Sequence, residues 1–283
     1  LPAQGWFNDA RIWEEMIRLH DVDAAMAQRK RPFTPDIAAI MDEDSMCHLS
    51  GGSAVFARPL IYEGRAALGR SGAPYGQYLL DDVIAGKVSA KLQIFLSAWA
   101  LTPAKRTALI AKRSPDTTRV WCYAPGCIYP DRTDAAGIKE ITGFDARALT
   151  LKTAEVTPTV FGRSLGLTAP WGPKEFIQPL FSVTATPEDA MAVYADGSPA
   201  VSLRRSDQGT DIFVGVPQLT PELVRALAKL AGVHLFTEGK ATVWATDEYL
   251  SIQVHEDGPL LVNTGRKGRV TDALDDKTVG NGP

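Results

Sequence analysis

Residues 94–126 read IFLSAWALTPAKRTALIAKRSPDTTRVWCYAPG, and the reading of this stretch decides the fold class. Ile94-Phe95-Leu96 is a short continuous apolar run, the pattern of a strand buried on both faces. Thr102 supplies a hydroxyl cap, and Pro103 suits the first helical position, where a missing N–H is no loss. Ala104, Leu109, Ile110 and Ala111 give the apolar positions of a helix ending near Arg113. Ser114-Pro115-Asp116 turns the chain, Val120 to Ala124 predicts the next strand, and Pro125-Gly126 ends it. This is a βαβ unit, which builds a parallel sheet through a right-handed crossover.

The same offsets return later. Ile212-Phe213-Val214 precedes Leu219-Thr220-Pro221, a helix follows from Glu222 to Leu230, and after Gly232 the run Val233–Phe236 predicts a strand. Asp36 to Met41 predicts the first parallel strand, and Tyr78-Leu79-Leu80 a further one. A helix is expected through Phe56, Leu60, Ile61 and Leu68, and another from Asp131 to Gly143. Residues 146–180 are rich in Gly and Pro and read as a long decorated loop, with strand hints at Leu149, Leu151 and Val156. Phe181–Val183 and Ala192–Tyr194 read as short strands. Period-2 segments at Ala241–Ala245, Leu250–Val254 and Leu260–Val262 predict a small antiparallel piece at the end.

At the start, Asn8 or Asp9 can cap a helix with Ile12, Trp13, Met16, Ile17 and Leu19 at helical spacing, running to the basic end Arg29-Lys30-Arg31. This helix has no strand before it and reads as a link from a preceding domain. The chain begins at Leu1 rather than Met and reads as a processed piece from which targeting information has been removed.

Composition removes several function classes. A net charge of −3 gives no basic field for nucleic acid or an anionic membrane. No apolar run reaches the roughly 20 residues of a membrane span, so a soluble protein is expected. The three cysteines, Cys47, Cys122 and Cys127, make neither a disulfide framework nor a metal pattern, and the compartment stays open. There is no Gly-rich phosphate loop, since Gly51-Gly52 matches neither fingerprint, and no cofactor is expected.

The chemistry-bearing candidates lie at strand ends. Asp42, Glu43 and Asp44 follow the first strand, and Asp81 and Asp82 follow the second; open α/β sheets place their functional loops at this carboxyl end. Asp42, Glu43 and Asp44 can bind a metal or act in acid–base chemistry, and Asp81 and Asp82 again place acid at a strand end as binding candidates; the plainer reading of the first loop is a solvated one with Ser45 capping a helix. Cys127 is a candidate nucleophile, whereas Cys122, inside an apolar strand, reads as packing. Trp99, Trp121 and Trp171 would serve a carbohydrate-binding surface if exposed, although Trp121 lies mid-strand. His234 reads as a core histidine. His255 and Glu256, adjacent on a strand, point to opposite faces and cannot act as a pair.

The runs DIAAIMDEDS (36–45), GAPY (72–75), YLLDD (78–82), KLQIFL (91–96) and VWCYAPG (120–126) together resemble the middle, trimerisation domain of family 42-type β-galactosidases, over about residues 34–245. The resemblance implies a three-layer α/β domain with a parallel sheet of flavodoxin-like or class I glutamine amidotransferase-like kind. It divides the chain into a linking helix (1–33), the α/β domain (34–245) and a short antiparallel β tail (246–283). It further implies a non-catalytic assembly role: a homo-oligomer, or a domain docked on a preceding catalytic (β/α)8 barrel whose active site it helps to wall. No catalytic residue is carried over, because the family's catalytic glutamates belong to the barrel. The rival readings are an amidotransferase-like hydrolase using Cys127 and a carbohydrate-binding module.

Overall fold

Thr102 caps its helix as the sequence predicts: its side chain accepts from the Lys105 amide (3.3 Å), and Pro103 opens the helix. Thr220 repeats the device, accepting from Leu223 N (3.1 Å) ahead of Pro221. In this computed structural model, residues 9–28, 33–50 and 54–282 are described. They form one unit over 34–261 and another drawn from 1–33 and 262–283.

In the larger unit the strands are β1 (Ile37–Met41), β2 (Tyr75–Leu79), β3 (Leu92–Phe95), β4 (Thr118–Cys122), β5 (Ala146–Leu149), β6 (Val156–Pro158), β7 (Leu180–Val183), β8 (Ala190–Tyr194), β9 (Pro199–Ser206) and β10 (Gly209–Val214). Eight of them form a single sheet in the order β2-β1-β3-β4-β10-β9-β8-β6. The first five are parallel. The last three continue the sheet antiparallel, an extension the sequence reading left as separate short strands. β5 pairs with β7 apart from this sheet. The order 2-1-3-4-10 among parallel strands is that of a flavodoxin-like doubly wound sheet.

Helices cover both faces, giving the expected three layers. Those between the strands are α2 (Glu43–Met46), α3 (Ala54–Ala57), α4 (Gly64–Gly69), α5 (Leu80–Ile84), α6 (Pro103–Ala111), α7 (Ala136–Thr142), α8 (Val160–Ser164) and α9 (Pro221–Leu230); α1 belongs to the second unit. On one face Ala38, Ile40, Phe95 and Trp121 pack with Leu80 and Val83 of α5, Leu109 of α6 and Ile141 of α7. On the other, Ile37, Ala39, Ile94 and Val120 pack with Leu68 of α4 and with Leu223, Val224 and Leu227 of α9. Each of the Leu, Ile, Val and Phe side chains among these contributes about 1.5–3 kcal/mol by leaving water. Between α3 and α4, residues Arg58–Tyr62 form a π-helical turn, with Glu63 N donating to Arg58 O (2.9 Å). Pro59, lacking an N–H, is tolerated at the start of this widened turn.

Two buried charges tie the layers together. Asp211 on β10 accepts from the Trp121 indole (2.8 Å) and pairs with Arg113. Arg106, nearly fully buried, donates to the Leu101 and Gly126 carbonyls and pairs with Glu140 (2.8 Å).

Several expectations are corrected. The helix read from Asp131 starts at Ala136, whose amide is capped by Asp134 (2.8 Å), because residues 127–134 are held in a loop by Asp134 N donating to Cys127 O. Val233–Phe236 is not a strand: the edge of β10 facing away from β4 is already taken by antiparallel β9, so the chain after α9 turns back and Phe236 N donates to Gly72 O (2.7 Å). Leu260–Val262 is irregular as well, whereas β11 (Ala241–Ala245) and β12 (Leu250–Val254) pair as an antiparallel hairpin. Residues 146–180 are more ordered than a loop, containing β5, β6 and α8.

In the smaller unit, α1 spans Ala10–Ala27 with Asp9 as its cap, and β13 (Arg269–Thr271) pairs with β14 (Thr278–Asn281). Arg18 donates to Leu274 O (2.7 Å). None of α1's residues is buried, and Trp13, Met16, Ile17 and Leu19 are all more than half exposed. The basic triplet Arg29–Arg31 and Gly51-Gly52 lie outside the described residues.

Candidate functional site

Among the parallel strands the order reverses direction between β1 and β3. In such sheets ligands bind in the crevice outside the carboxyl ends at that point. Three of the five acidic residues singled out from sequence converge there, on a lysine. Lys105, in the first turn of α6, reaches Asp42 (2.6 Å), Asp44 (2.8 Å) and Asp81 (3.7 Å). Burial works against the Lys105 ammonium, yet its hydrogen bonds to Asp42 and Asp44 and the charges of Asp42 and Asp81 outweigh it, leaving its pKa above the ordinary lysine value. The Asp44 carboxyl is held below the usual carboxylate range by the Lys105 hydrogen bond and charge.

Asp42 is 1 % exposed, so the loop is not the solvated one expected. Asp42, not Ser45, caps α2: it accepts from Ser45 N (2.9 Å) and from Ser45 Oγ (2.5 Å). The buried Ser45 Oγ in turn accepts from the amides of Trp99 (3.0 Å) and Ala100 (2.8 Å). The result is a closed knot tying β1, β2 and β3 ends to α6. Glu43 is exposed, and Asp82, the third residue of α5, reaches back to accept from the N-cap amide of Leu79 (3.2 Å) and also from Lys87 (3.3 Å). No cluster of three His, Cys, Asp or Glu side chains able to hold a metal occurs among the described residues.

The other side of the crevice is aromatic. Tyr123, the residue after β4, sits at φ 66°, a left-handed conformation uncommon for a bulky residue. Its ring stacks on Phe56 (centroids 5.0 Å) and meets Trp99 and Phe181 edge-on, and its hydroxyl donates to Pro179 O (2.7 Å). Burial, with the neighbouring Cys127, pushes the Tyr123 phenol up to about 12. Above this cluster lies a cavity of about 180 Å³ lined by His48, Leu49, Ser50, Phe56, Trp99, Tyr123, Ala124 and Ile128.

Cys127 lies four residues beyond Tyr123. It is buried, and burial pushes its thiol up, with the Asp134 backbone amide and Arg106 acting the other way. Cys122, inside β4, is pushed to about 12 by burial alone. The residue at the sharp turn after β4 is thus Tyr123, not a thiol. The tryptophans do not form a sugar-stacking surface: Trp99, Trp121 and Trp171 are all buried. Trp99 donates to Cys122 O (3.1 Å) and Trp121 to Asp211. His255 contacts Thr242 (2.7 Å) while Glu256 pairs with Lys240, so the two act separately.

Lys105, Tyr123, Phe56 and His48 were not singled out from the sequence. For Lys105 a signal existed: a cation in the first turn of a helix opposes the helix dipole and calls for a carboxylate partner. Tyr123 carried no such mark, because a left-handed φ is not legible in an aromatic residue.

The sequence matches no protein-family model and no curated protein. Solved structures share the fold. The β-galactosidase from Rahnella sp. R3 aligns at a TM-score of 0.64 with 19% identity, over 87% of this chain and 40% of that one. The GH42 β-galactosidase Gan42B from G. stearothermophilus aligns at 0.66 with 15% identity, over 96% and 42%. The β-galactosidase from Bacillus circulans sp. alkalophilus aligns at 0.64 with 13% identity, over 96% and 43%. The chain thus spans about two fifths of the length of these enzymes and has the fold of that part of them.

Proposed function

We propose that this chain is a non-catalytic assembly domain of a β-galactosidase-like glycoside hydrolase, organising subunits and walling the active site of a (β/α)8 barrel outside this chain. The observation that carries the reading is the fold it shares with two fifths of GH42-type β-galactosidases. The crevice at the sheet's carboxyl end supports it, because its carboxylates are engaged by Lys105 and its turn residue is Tyr123. So does α1, an 18-residue helix with no buried residue and an apolar stripe that a neighbouring domain would cover. The partners in this reading are the barrel and further copies of the subunit.

Activity assays test it. The isolated chain is expected to turn over neither nitrophenyl β-galactoside nor glutamine, and Cys127→Ala is expected to change nothing. Glutaminase or other amidase turnover that vanishes in Cys127→Ala would overturn the reading in favour of an amidotransferase-like hydrolase.

A further inference from the structure

Trp99, Trp121 and Trp171 are buried, but Trp244 is 54 % exposed. It stands mid-strand in β11, whose hairpin with β12 has two unlike faces. Residues opposite each other in an antiparallel pair share a face, and successive residues alternate. Ala241 and Val243 are buried, so their face, shared with Val254 and Ile252, turns inward. Trp244 lies on the other face, opposite Ser251, with Thr242 and Gln253 one step along. Thr246 N donates to Tyr249 O (2.8 Å), which extends the ladder and places both residues on Trp244's face.

The surroundings of Trp244 are uniform in chemistry. Ser251 is opposite, Gln253 and Tyr249 are diagonal, and Thr242 and Thr246 flank it along the strand. Each ends in a hydroxyl or an amide, and none is charged. Opposite Cβ atoms in such pairs lie about 4.5–5.5 Å apart and diagonal residues about 7–8 Å, within reach of an aromatic side chain. Two of the hydroxyls are committed: Thr242 meets His255 Nε2 (2.7 Å), and Thr246 Oγ1 accepts from Tyr249 N (3.1 Å). The exposed Ser251 and Gln253 side chains and the Trp244 indole N–H are engaged by no other described residue. The Trp99 and Trp121 indoles, by contrast, both donate to protein oxygens. Lys240, at the border of the face, is held by Glu256, and the turn beyond Thr246 carries the acids Asp247 and Glu248.

We propose that this face binds neutral carbohydrate, with one pyranose ring stacked on Trp244 and its hydroxyls bonded by Ser251 and Gln253. A pyranose presents a face of apolar C–H groups framed by hydroxyls that both donate and accept. The hairpin answers it part for part, with one flat apolar ring, a hydroxyl and an amide, the last two able to donate and accept. The same features disfavour other partners. A stable protein interface buries about 800 Å² on each side, whereas an indole offers at most about 250 Å² and its neighbours here are polar. A nucleic acid can stack a base on Trp244, but its phosphates would meet Asp247, Glu248 and a lysine already paired. The assignment does not rest on the galactosidase reading, and its readout is binding rather than turnover.

Native electrophoresis of the full chain through gels cast with galactan, galactomannan, xylan or hydroxyethylcellulose tests it. These polymers carry no charge, so retardation reports binding. At least one is expected to retard the chain and, in solution, to shift the Trp244 indole N–H resonance. Trp244→Ala is expected to weaken the binding about tenfold or more, and Trp244→Tyr to restore part of it. A chain retarded by none of the four overturns the proposal. So does retardation that persists in Trp244→Ala, which assigns the binding to another surface. An indole resonance that moves only on adding oligodeoxythymidine gives the face to nucleic acid and likewise overturns it. The resonance is read on the unaltered chain and decides the matter even if a variant fails to fold.

Discussion

Lys105 and Tyr123 show how single side chains set the character of the carboxyl end. Replacing Lys105 by Met leaves the buried Asp42 carboxylate without its cation, which is expected to cost about 3 kcal/mol, read as a lower denaturant midpoint at constant slope. The pH dependence has a definite sign. The folded-state pKa of Asp44 lies below its unfolded value, so its contribution is present above about pH 4 and is lost as pH falls through the lowered value. Lys105 is raised, so its contribution is complete below about pH 10.5 and fades only as pH rises further. The stability gap between the wild type and Lys105→Met is therefore expected to narrow in acid and hold constant through neutrality; a gap that widens in acid would refute the ion-pair account. At Tyr123 the left-handed backbone gives an inverted ranking. Both Tyr123→Ala and Tyr123→Gly lose the ring and the bond to Pro179, but Gly has no Cβ to strain at φ 66°, so it is expected to be the more stable variant by about 1 kcal/mol.

Among the elements, α7 seats against the loop after β4 through two glycines. A Cβ on Gly137 would stand 2.0 Å from the Gly126 carbonyl oxygen, and Gly126 is itself at φ 67°. Because Gly126 O also accepts from buried Arg106 (2.6 Å), the loop cannot retreat without breaking that bond. Gly137→Ala is thus expected to destabilise by roughly 1–3 kcal/mol despite the higher helix propensity of alanine, with thermal unfolding as the check. A gain in melting temperature would show that the helix can shift outward freely.

For the whole molecule, the contrast between α9 and α1 matters most. α9 buries Leu223, Val224 and Leu227 in the core, whereas α1 buries nothing. An isolated helix of this length is marginal in water, its stability resting on tertiary packing. Amides 10–27 are expected to exchange with little protection while those of α9 exchange only near the global unfolding limit. Ile17→Glu is expected to leave the chain's stability within about 0.5 kcal/mol; under the assembly role proposed above it is expected to abolish docking on a neighbouring domain, measured by co-sedimentation with that domain. Docking that survives Ile17→Glu would remove α1 from the assembly surface.

The sequence by itself determined the parallel half of the sheet. Four of its five strands hold short apolar runs, at Ile37–Met41, Ile94–Phe95, Val120–Cys122 and Ile212–Val214, and Thr102-Pro103 and Thr220-Pro221 are local caps whose chemistry acts within four residues. Such signals need no knowledge of distant partners. What lay beside each strand was decided only in three dimensions. The antiparallel β9 took the place beside β10 that a strand at Val233–Phe236 would have needed, and no local pattern announces that a neighbouring position is already filled. The site followed the same division. Acidic residues at strand ends were legible, because the carboxyl end of a parallel sheet is where functional loops gather. That Lys105, more than sixty residues after Asp42, would engage them depended on α6 packing across the ends of β1 and β2. Charge pairing at such separation is a property of the packed layers, since only their geometry brings an ammonium and three carboxylates within a few ångströms.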